Sequence, residues 1–327
     1  MSEDWFHRRT HDWGQWSLED LRHAKQRTGS QVSLVLPARD EAGTIGGIVG
    51  RLTSLRDAGL VDELVVIDSD SSDDTAAVAA TAGAVVHRAA DVRPDLGPRA
   101  GKGEALWKSL FVTTGDVLVF MDADLVEWDT HFVTGLLGPL LTAPDVQLVK
   151  GFYERPLVHA DAEAAYEGGR VTELVARPLL SLRWPALAGI AQPLAGEWAV
   201  RRSLFERLSV PTGYAVDLAA VIDTYLLHGV DALAQVDLGR RVHQHQPLRD
   251  LGAMALQIMA MADQRTGGVL GPATSVPLRQ FGPPTTQGQR GVAPRTREVA
   301  VDQRPPALGV PGYTHQVRRT GTADGSA

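Results

Sequence analysis

The 327 residues carry 32 Lys and Arg against 39 Asp and Glu, a formal net charge of −7 at pH 7, and no cysteine. The missing cysteines exclude disulfides, thiolate zinc sites and a cysteine nucleophile, and the acidic balance argues against general nucleic-acid binding, which relies on basic patches. With 44% apolar and 22% charged residues the composition is that of an ordinary globular chain, long enough for one large α/β domain or a domain with an appendage.

Residues 1–30 read as an N-terminal extension. MSEDWFHRRTHDWGQWS is polar and aromatic, without the charged head and apolar stretch of a signal peptide. WFHRRTHDW carries many charges for a segment resting on a membrane surface. No apolar run approaches the length needed to cross a bilayer, so a soluble, cytoplasmic protein is expected.

From Gln31 the pattern becomes regular. QVSLVLPA predicts a strand, RDEAG a loop and TIGGIVGRLTSLRDAG a helix. DELVVIDSDSSDDT is a strand ending in acids and serines, followed by the alanine-rich helix TAAVAATAG and the short strand AVVHRA. The polar loop DVRPDLGPRAGKGEA opens a helix through Leu106 and Leu110, the strand DVLVFMD follows, and a helix over 130–141 leads to the strand VQLVKGFYE. This alternation with short connections predicts an α/β fold, a Rossmann-like, mostly parallel sheet with helices on both faces. Ligands of such sheets bind beyond the carboxyl ends of the strands, where PARDE, DSDSSDD and DADL all fall.

Residues 152–262 are less regular and read as the second half of the same domain. YEGGRVTELVARPLLSLRWP reads as a glycine turn feeding a helix that stops before Pro185. GEWAVRRSLFERL and DLAAVIDTYLLHGV read as helical, and ALAQVDLGRRVHQHQP as a strand running into a polar loop. Residues 263–327 turn to Gly, Pro, Thr, Gln and Arg, with eight Arg against three acids from Arg265 onward. That tail is expected to be largely mobile, although REVAVDQ, with Val299 and Val301 alternating, suits an edge strand on a partner.

The chemistry concentrates in a few stretches. In GDVLVFMDADLVEWD, Asp122 and Asp124 stand one residue apart at the end of an apolar run, so both carboxylates project to one side. Like charges that close call for a compensating positive charge, either a divalent cation or a nearby Lys or Arg. Asp129 and Thr130 are available to cap the next helix, which leaves the pair free for Mg²⁺ or Mn²⁺, both of which prefer oxygen ligands. In VLPARDEAGTI, Asp40 and Glu41 either cap the helix near Thr44, or Pro37 to Arg39 cup a nucleobase while Glu41 meets base or ribose. Asp68 or Asp70 is placed to accept from a nucleotide, and Asp73 and Asp74 to cap the next helix. In PRAGKGEALWKSL, Lys102 beside exposed amides suits an anion such as a diphosphate, the alternative being a solvated loop. Neither a G-x-G-x-x-G nor a Walker signature is present in these stretches.

The ordered set VSLVLPARDEAGTI, VVIDSDSSDDT, GKGEALWKSL and VFMDADL resembles nucleotide-sugar glycosyltransferases of the A-type (GT-A) fold, and more narrowly the actinobacterial glucosyl-3-phosphoglycerate synthases. The likeness runs from about Gln31 to Ala262 through GFYERPL, EGGRVTELVARPLL, AGIAQPLAGEWAVRRSLFE, PTGYAVD and PLRDLGAM, and VDQRPP extends it weakly into the tail. The resemblance implies a retaining, divalent-metal-dependent transfer of glucose from UDP-glucose to the 2-hydroxyl of 3-phosphoglycerate, by a homodimer. It assigns residues 31–151 to the nucleotide sugar and 152–262 to acceptor binding and catalysis. Asp124 matches the metal-binding acid and His243 the histidine ligand, while Asp122 matches the acid beside the donor sugar or ribose. Pro37, Ala38, Glu41, Ser69 and Lys102 fall on donor contacts. Gly169, Arg170 and Thr172 fall on the acceptor loop, with His245 where the family commonly has an acceptor-side Asn.

One departure bears on the donor. Asp217 stands where the family usually has a Glu beside the sugar, a carboxylate one methylene longer. Related enzymes using GDP-mannose or GDP-glucose share the scaffold, so a mannosyl-3-phosphoglycerate synthase-like activity is an alternative. A polyprenyl-phosphate glycosyltransferase shares the first-half motifs but predicts membrane attachment, and a non-catalytic sugar-nucleotide sensor is a further alternative.

Overall fold

The computed structural model describes residues 3–154, 157–159, 162–164, 169–241, 247–271, 273–282 and 292–314, with the backbone alone over 157–159 and 162–164. In chain order the strands are β1 (Thr10–Asp12), β2 (Val32–Ala38), β3 (Glu63–Asp68), β4 (Val85–Arg88), β5 (Val117–Phe120), β6 (Leu148–Glu154), β7 (Leu157–His159), β8 (Ala162–Ala164), β9 (Trp198–Arg201), β10 (Val210–Pro211), β11 (Leu233–Arg240), β12 (Ser275–Gly282), β13 (Ala293–Ala300) and β14 (Gln303–Arg304). The helices are α1 (Glu3–Arg9), α2 (Leu18–Thr28), α3 (Ile45–Asp57), α4 (Thr75–Thr81), α5 (Lys102–Ser109), α6 (His131–Thr142), α7 (Arg177–Arg183), α8 (Arg202–Phe205), α9 (Val216–His228) and α10 (Leu248–Arg265).

One eight-stranded sheet, in the order β1-β11-β6-β9-β5-β2-β3-β4, runs through the molecule. Its pairings are parallel except at β9, which is antiparallel to both β5 and β6. Period two along the strands feeds two cores. Leu34 and Leu36 of β2 join a cluster with Ile48 and Leu52 of α3 and Leu136 of α6, while Val35 joins the opposite cluster with Leu106 of α5 and Val216 of α9. Both faces being covered, β2 is buried along nearly its whole length, which is why the parallel strands read as unbroken apolar runs.

Three expectations change. The segment GEWAVRRSLFERL is not helix-led: Trp198–Arg201 is the reversed strand β9, with Trp198, Ala199 and Val200 buried between two strand neighbours, and only then comes the four-residue α8. Residues 3–30 belong to the body instead of extending from it. Trp5 is buried with its indole N–H on the Val230 carbonyl at 2.8 Å, β1 is an edge strand of the main sheet, and a Ser17–Asp20 capping box starts α2. The tail expected to be mobile is ordered over 273–282 and 292–314. β13 pairs with β12 of the same chain, and Val299, Val301, Ala307 and Val310 are buried. Gly/Pro-rich composition hid these few apolar anchors. Among the described residues no helix is long and apolar enough to cross a membrane.

Candidate active site

A cavity of about 550 Å³ opens at the carboxyl edge of the parallel strands. From the donor set it gathers Pro37 and Ala38 at the end of β2, Glu41 beyond them, Ser69 after β3, Lys102 at the start of α5, and Asp122. Asp124, Asp217 of α9 and the acceptor set Gly169, Arg170 and Thr172 line the same space. Thr172 opens a π-helical turn, Thr172–Ala176, a local widening of the helix that recurs at functional sites. His243 and His245 lie outside the described residues.

The acidic pair sits just past the end of β5, in irregular backbone, and its carboxylates still converge. Arg241, directly after β11, donates from Nη2 to Asp122 Oδ2 at 3.1 Å and to Asp124 Oδ1 at 3.3 Å. Its Nη1 reaches Glu197 Oε2 at 2.9 Å and the Tyr153 hydroxyl at 2.5 Å. Lys102 Nζ lies 2.8 Å from Asp122 Oδ1 and 3.2 Å from Asp217 Oδ2. The other Asp217 oxygen, Oδ1, accepts the Trp198 indole N–H at 2.8 Å. The positive charge that the pair demands is thus supplied by a lysine and an arginine. Gly196 makes room for this cluster, since a Cβ there would come within 2.0 Å of Asp122 Oδ2.

Charge balance within the cluster is uneven. Burial works against the charge of Asp122, but Lys102 and Arg241 outweigh it and hold the carboxyl below its ordinary range. Burial likewise opposes the Lys102 ammonium, and Asp122 and Asp217 override it, keeping the group protonated. Asp124 goes the other way: burial and then Asp122 raise it, with Arg241 compensating only in part. Glu41 is raised by burial and then by Asp124. Burial also lifts Glu197, against the pull of Arg241. Below the cluster, Lys150 of β6 is buried with Nζ on the Ala195 carbonyl at 2.5 Å and 5.6 Å from the Trp198 ring centre. Burial lowers it to about 8, opposed by Asp217.

Burial and neighbouring carboxylates thus disfavour the charged forms of Asp124 and Glu41, Arg241 relieving Asp124 only in part, and the Asp124 side chain is 49% exposed. An all-oxygen, partly open set of this kind fits a hard divalent cation. Among the described residues no cluster of three or more acidic or histidine side chains is arranged to hold a metal.

Several sequence-based candidates do other work. Asp68 accepts from the backbone N–H of Ser71 at 3.3 Å and from its hydroxyl, and neither Asp68 nor Asp70 lines the cavity. Asp40 does not cap α3. It accepts from Ser72 N–H at 2.7 Å, tying two loops together. Asp73 accepts the Thr75 N–H at 3.0 Å at the start of α4, as expected, whereas Asp74 makes no side-chain cap. Glu197 and Arg241 were not singled out from the sequence. The available signal was a lone Glu inside the apolar run AGEWAV and a double Arg beside the expected metal histidine.

A mostly parallel sheet with one reversed strand, bearing a D-x-D pair and a charged cavity at its carboxyl edge, defines a nucleotide-sugar glycosyltransferase of the A-type fold. The model of the family Glycosyl transferase family 2 matches residues 33–206. The glucosyl-3-phosphoglycerate synthase of Mycolicibacterium smegmatis is 45% identical over 298 residues, spanning 90% of this chain and 95% of that protein. Two crystal structures of the Mycobacterium tuberculosis glucosyl-3-phosphoglycerate synthase superpose closely, each at 42% identity. One, in complex with Mn²⁺, UDP-glucose and phosphoglyceric acid, has a TM-score of 0.78 and covers 90% of this chain and 95% of its own. The other, with Mg²⁺ and UDP, has a TM-score of 0.80 and covers 92% and 98%. The chain belongs to the glucosyl-3-phosphoglycerate synthase family of hexosyltransferases.

Proposed function

We propose that this protein transfers glucose from UDP-glucose to the 2-hydroxyl of 3-phosphoglycerate with retention of anomeric configuration, as a cytoplasmic homodimer. The observation that carries the reading is that the expected donor and acceptor residues, from Pro37 to Thr172, line one cavity around a buried cluster of opposite charges. Pro37, Ala38, Glu41 and Ser69 hold the nucleotide end. Arg170 and the amides around Gly169 suit an acceptor bearing both phosphate and carboxylate, because a guanidinium fork matches either anion.

Asp124 and His243 would hold Mg²⁺ or Mn²⁺, which supplies positive charge against the departing diphosphate. Arg241 keeps Asp122 and Asp124 at a fixed separation. Lys102 stays charged between Asp122 and Asp217 and is close enough to the cavity to turn toward a leaving diphosphate. Asp217 has both oxygens engaged, by Trp198 and Lys102, which makes it a poor nucleophile. That favours attack by the acceptor hydroxyl on the face from which the diphosphate departs, with Asp217 fixing the transferred hexose.

The test is a matrix of UDP-glucose, GDP-glucose and GDP-mannose against 3-phosphoglycerate, with and without Mg²⁺, with NMR of the product. Mg²⁺-dependent α-linked glucosyl-3-phosphoglycerate from UDP-glucose is expected. Preference for GDP-mannose, donor hydrolysis without transfer, or a β-linkage overturns the assignment.

A further inference from the structure

The proposed reaction makes no use of the segment after α10, yet a buried bidentate ion pair lies there. Arg304 of β14 donates from Nε and Nη2 to the two carboxylate oxygens of Glu104 at 2.7 and 2.6 Å, and both side chains are buried. It also donates to the carbonyls of Leu96 and Gly97 at 2.9 and 2.6 Å, and its guanidinium lies 5.1 Å from the Trp107 ring centre. A planar fork with five donors can meet these partners together, and a lysine ammonium cannot.

Glu104 stands in the first turn of α5, two residues after Lys102. Within the helix that turn has one side-chain tie, Lys108 Nζ lying 3.4 Å from Glu104 Oε1. α5 has eight residues, and its N-cap, Gly101, makes no side-chain capping hydrogen bond. The other contacts come from outside the helix. Glu104 N–H donates to the Thr212 carbonyl at 3.0 Å, Thr212 N–H donates to the Asp302 carbonyl at 3.1 Å, and β10 pairs antiparallel with β14. Gly103 lies so close to β10 that a Cβ would fall 1.8 Å from the Pro211 carbonyl oxygen. Arg99, just before the helix, pairs with Asp302 at 2.7 Å.

We propose that Arg304 is a positioning residue for Lys102. Acting through Glu104, it fixes the first turn of α5 where the Lys102 ammonium meets Asp122 and Asp217. The inference rests on the reading of Lys102 as the group that serves the donor diphosphate, and it gives the C-terminal segment a part in donor binding.

Arg304→Lys keeps the charge and removes the fork, and Glu104→Gln is the second variant should the first fail to fold. Each is expected to raise the KM for UDP-glucose about tenfold while leaving the KM for 3-phosphoglycerate unchanged. In a Lys102→Ala background, Arg304→Lys is expected to cost less than about twofold more, because the two residues act as one unit. In the ligand-free protein, amide hydrogen exchange over residues 102–106 should accelerate about tenfold while β2 and β5 keep their protection. Unchanged exchange over 102–106, equal rises in both KM values, or a full multiplicative loss in the Lys102→Ala background overturns the inference. If Lys102→Ala itself leaves the UDP-glucose KM unmoved, the donor reading of Lys102 falls, and the exchange comparison still decides the positioning.

Discussion

Lys150 offers a direct measure of how dry the interior beneath the active site is. Its ammonium is buried against the Ala195 carbonyl and the Trp198 ring, and burial brings it from the free-lysine value of 10.5 down to about 8. Between about pH 8 and 10.5 the unfolded chain binds one proton more at this position than the folded chain does, so stability rises with pH across that window. Below about pH 8 both states hold the proton and the full cost is present. The separation of the two values corresponds to about 3 kcal/mol. Lys150→Met removes the titrating group but strands the Ala195 carbonyl, at about 1–3 kcal/mol, so the two proteins should be of comparable stability near neutral pH. Urea unfolding followed by tryptophan fluorescence is the assay. The stability of wild type minus that of Lys150→Met should climb by about 3 kcal/mol between roughly pH 7.5 and 10.5. A difference that stays flat across this range refutes the argument, because groups common to both proteins cancel.

Other outcomes follow from the same geometry. Arg241→Met leaves Glu197 as an uncompensated buried carboxylate and should destabilise the fold by about 3–5 kcal/mol in urea unfolding; a loss under about 1 kcal/mol contradicts the role given to the guanidinium. Trp5→Ala should cost about 3–5 kcal/mol, since the ring is buried and its N–H is bonded to Val230. A negligible change would return residues 3–30 to the status of an appendage. Asp124→Ala should lower transfer by roughly a hundredfold and weaken Mn²⁺ binding by calorimetry, and unaltered turnover rules the residue out of the metal site. Asp217→Ala should lower kcat or raise the KM for UDP-glucose; unchanged kinetics would remove it from the sugar pocket.

The first half of the sheet was legible because parallel strands buried on both faces write themselves as apolar runs, and polar loops at their carboxyl ends mark the site. β9 was not legible. Its apolar stretch is three residues long, and the flanking Glu197, Arg201 and Arg202 look like a helix surface. Glu197 and Arg202 are in fact buried, the latter bonded to the carbonyls of Gly115 and Leu110 and to the Thr113 hydroxyl. Arg241 escaped notice because the acids it bridges lie 119 and 117 residues upstream, beyond the reach of any local pattern. The tail misled through composition. Its Gly and Pro content describes most of its length, whereas a few buried residues, Val299, Val301, Arg304, Ala307 and Val310, dock it.

The contact between Arg304 and Glu104 joins positions 200 residues apart. The amino-terminal part of a chain is made first, and a contact between positions so far apart carries a large loop-closure cost. The helix that presents Lys102 is synthesised early but lacks its Arg304 brace until residue 304 has left the ribosome, so a nascent chain can possess its sheet before its pocket is fully set.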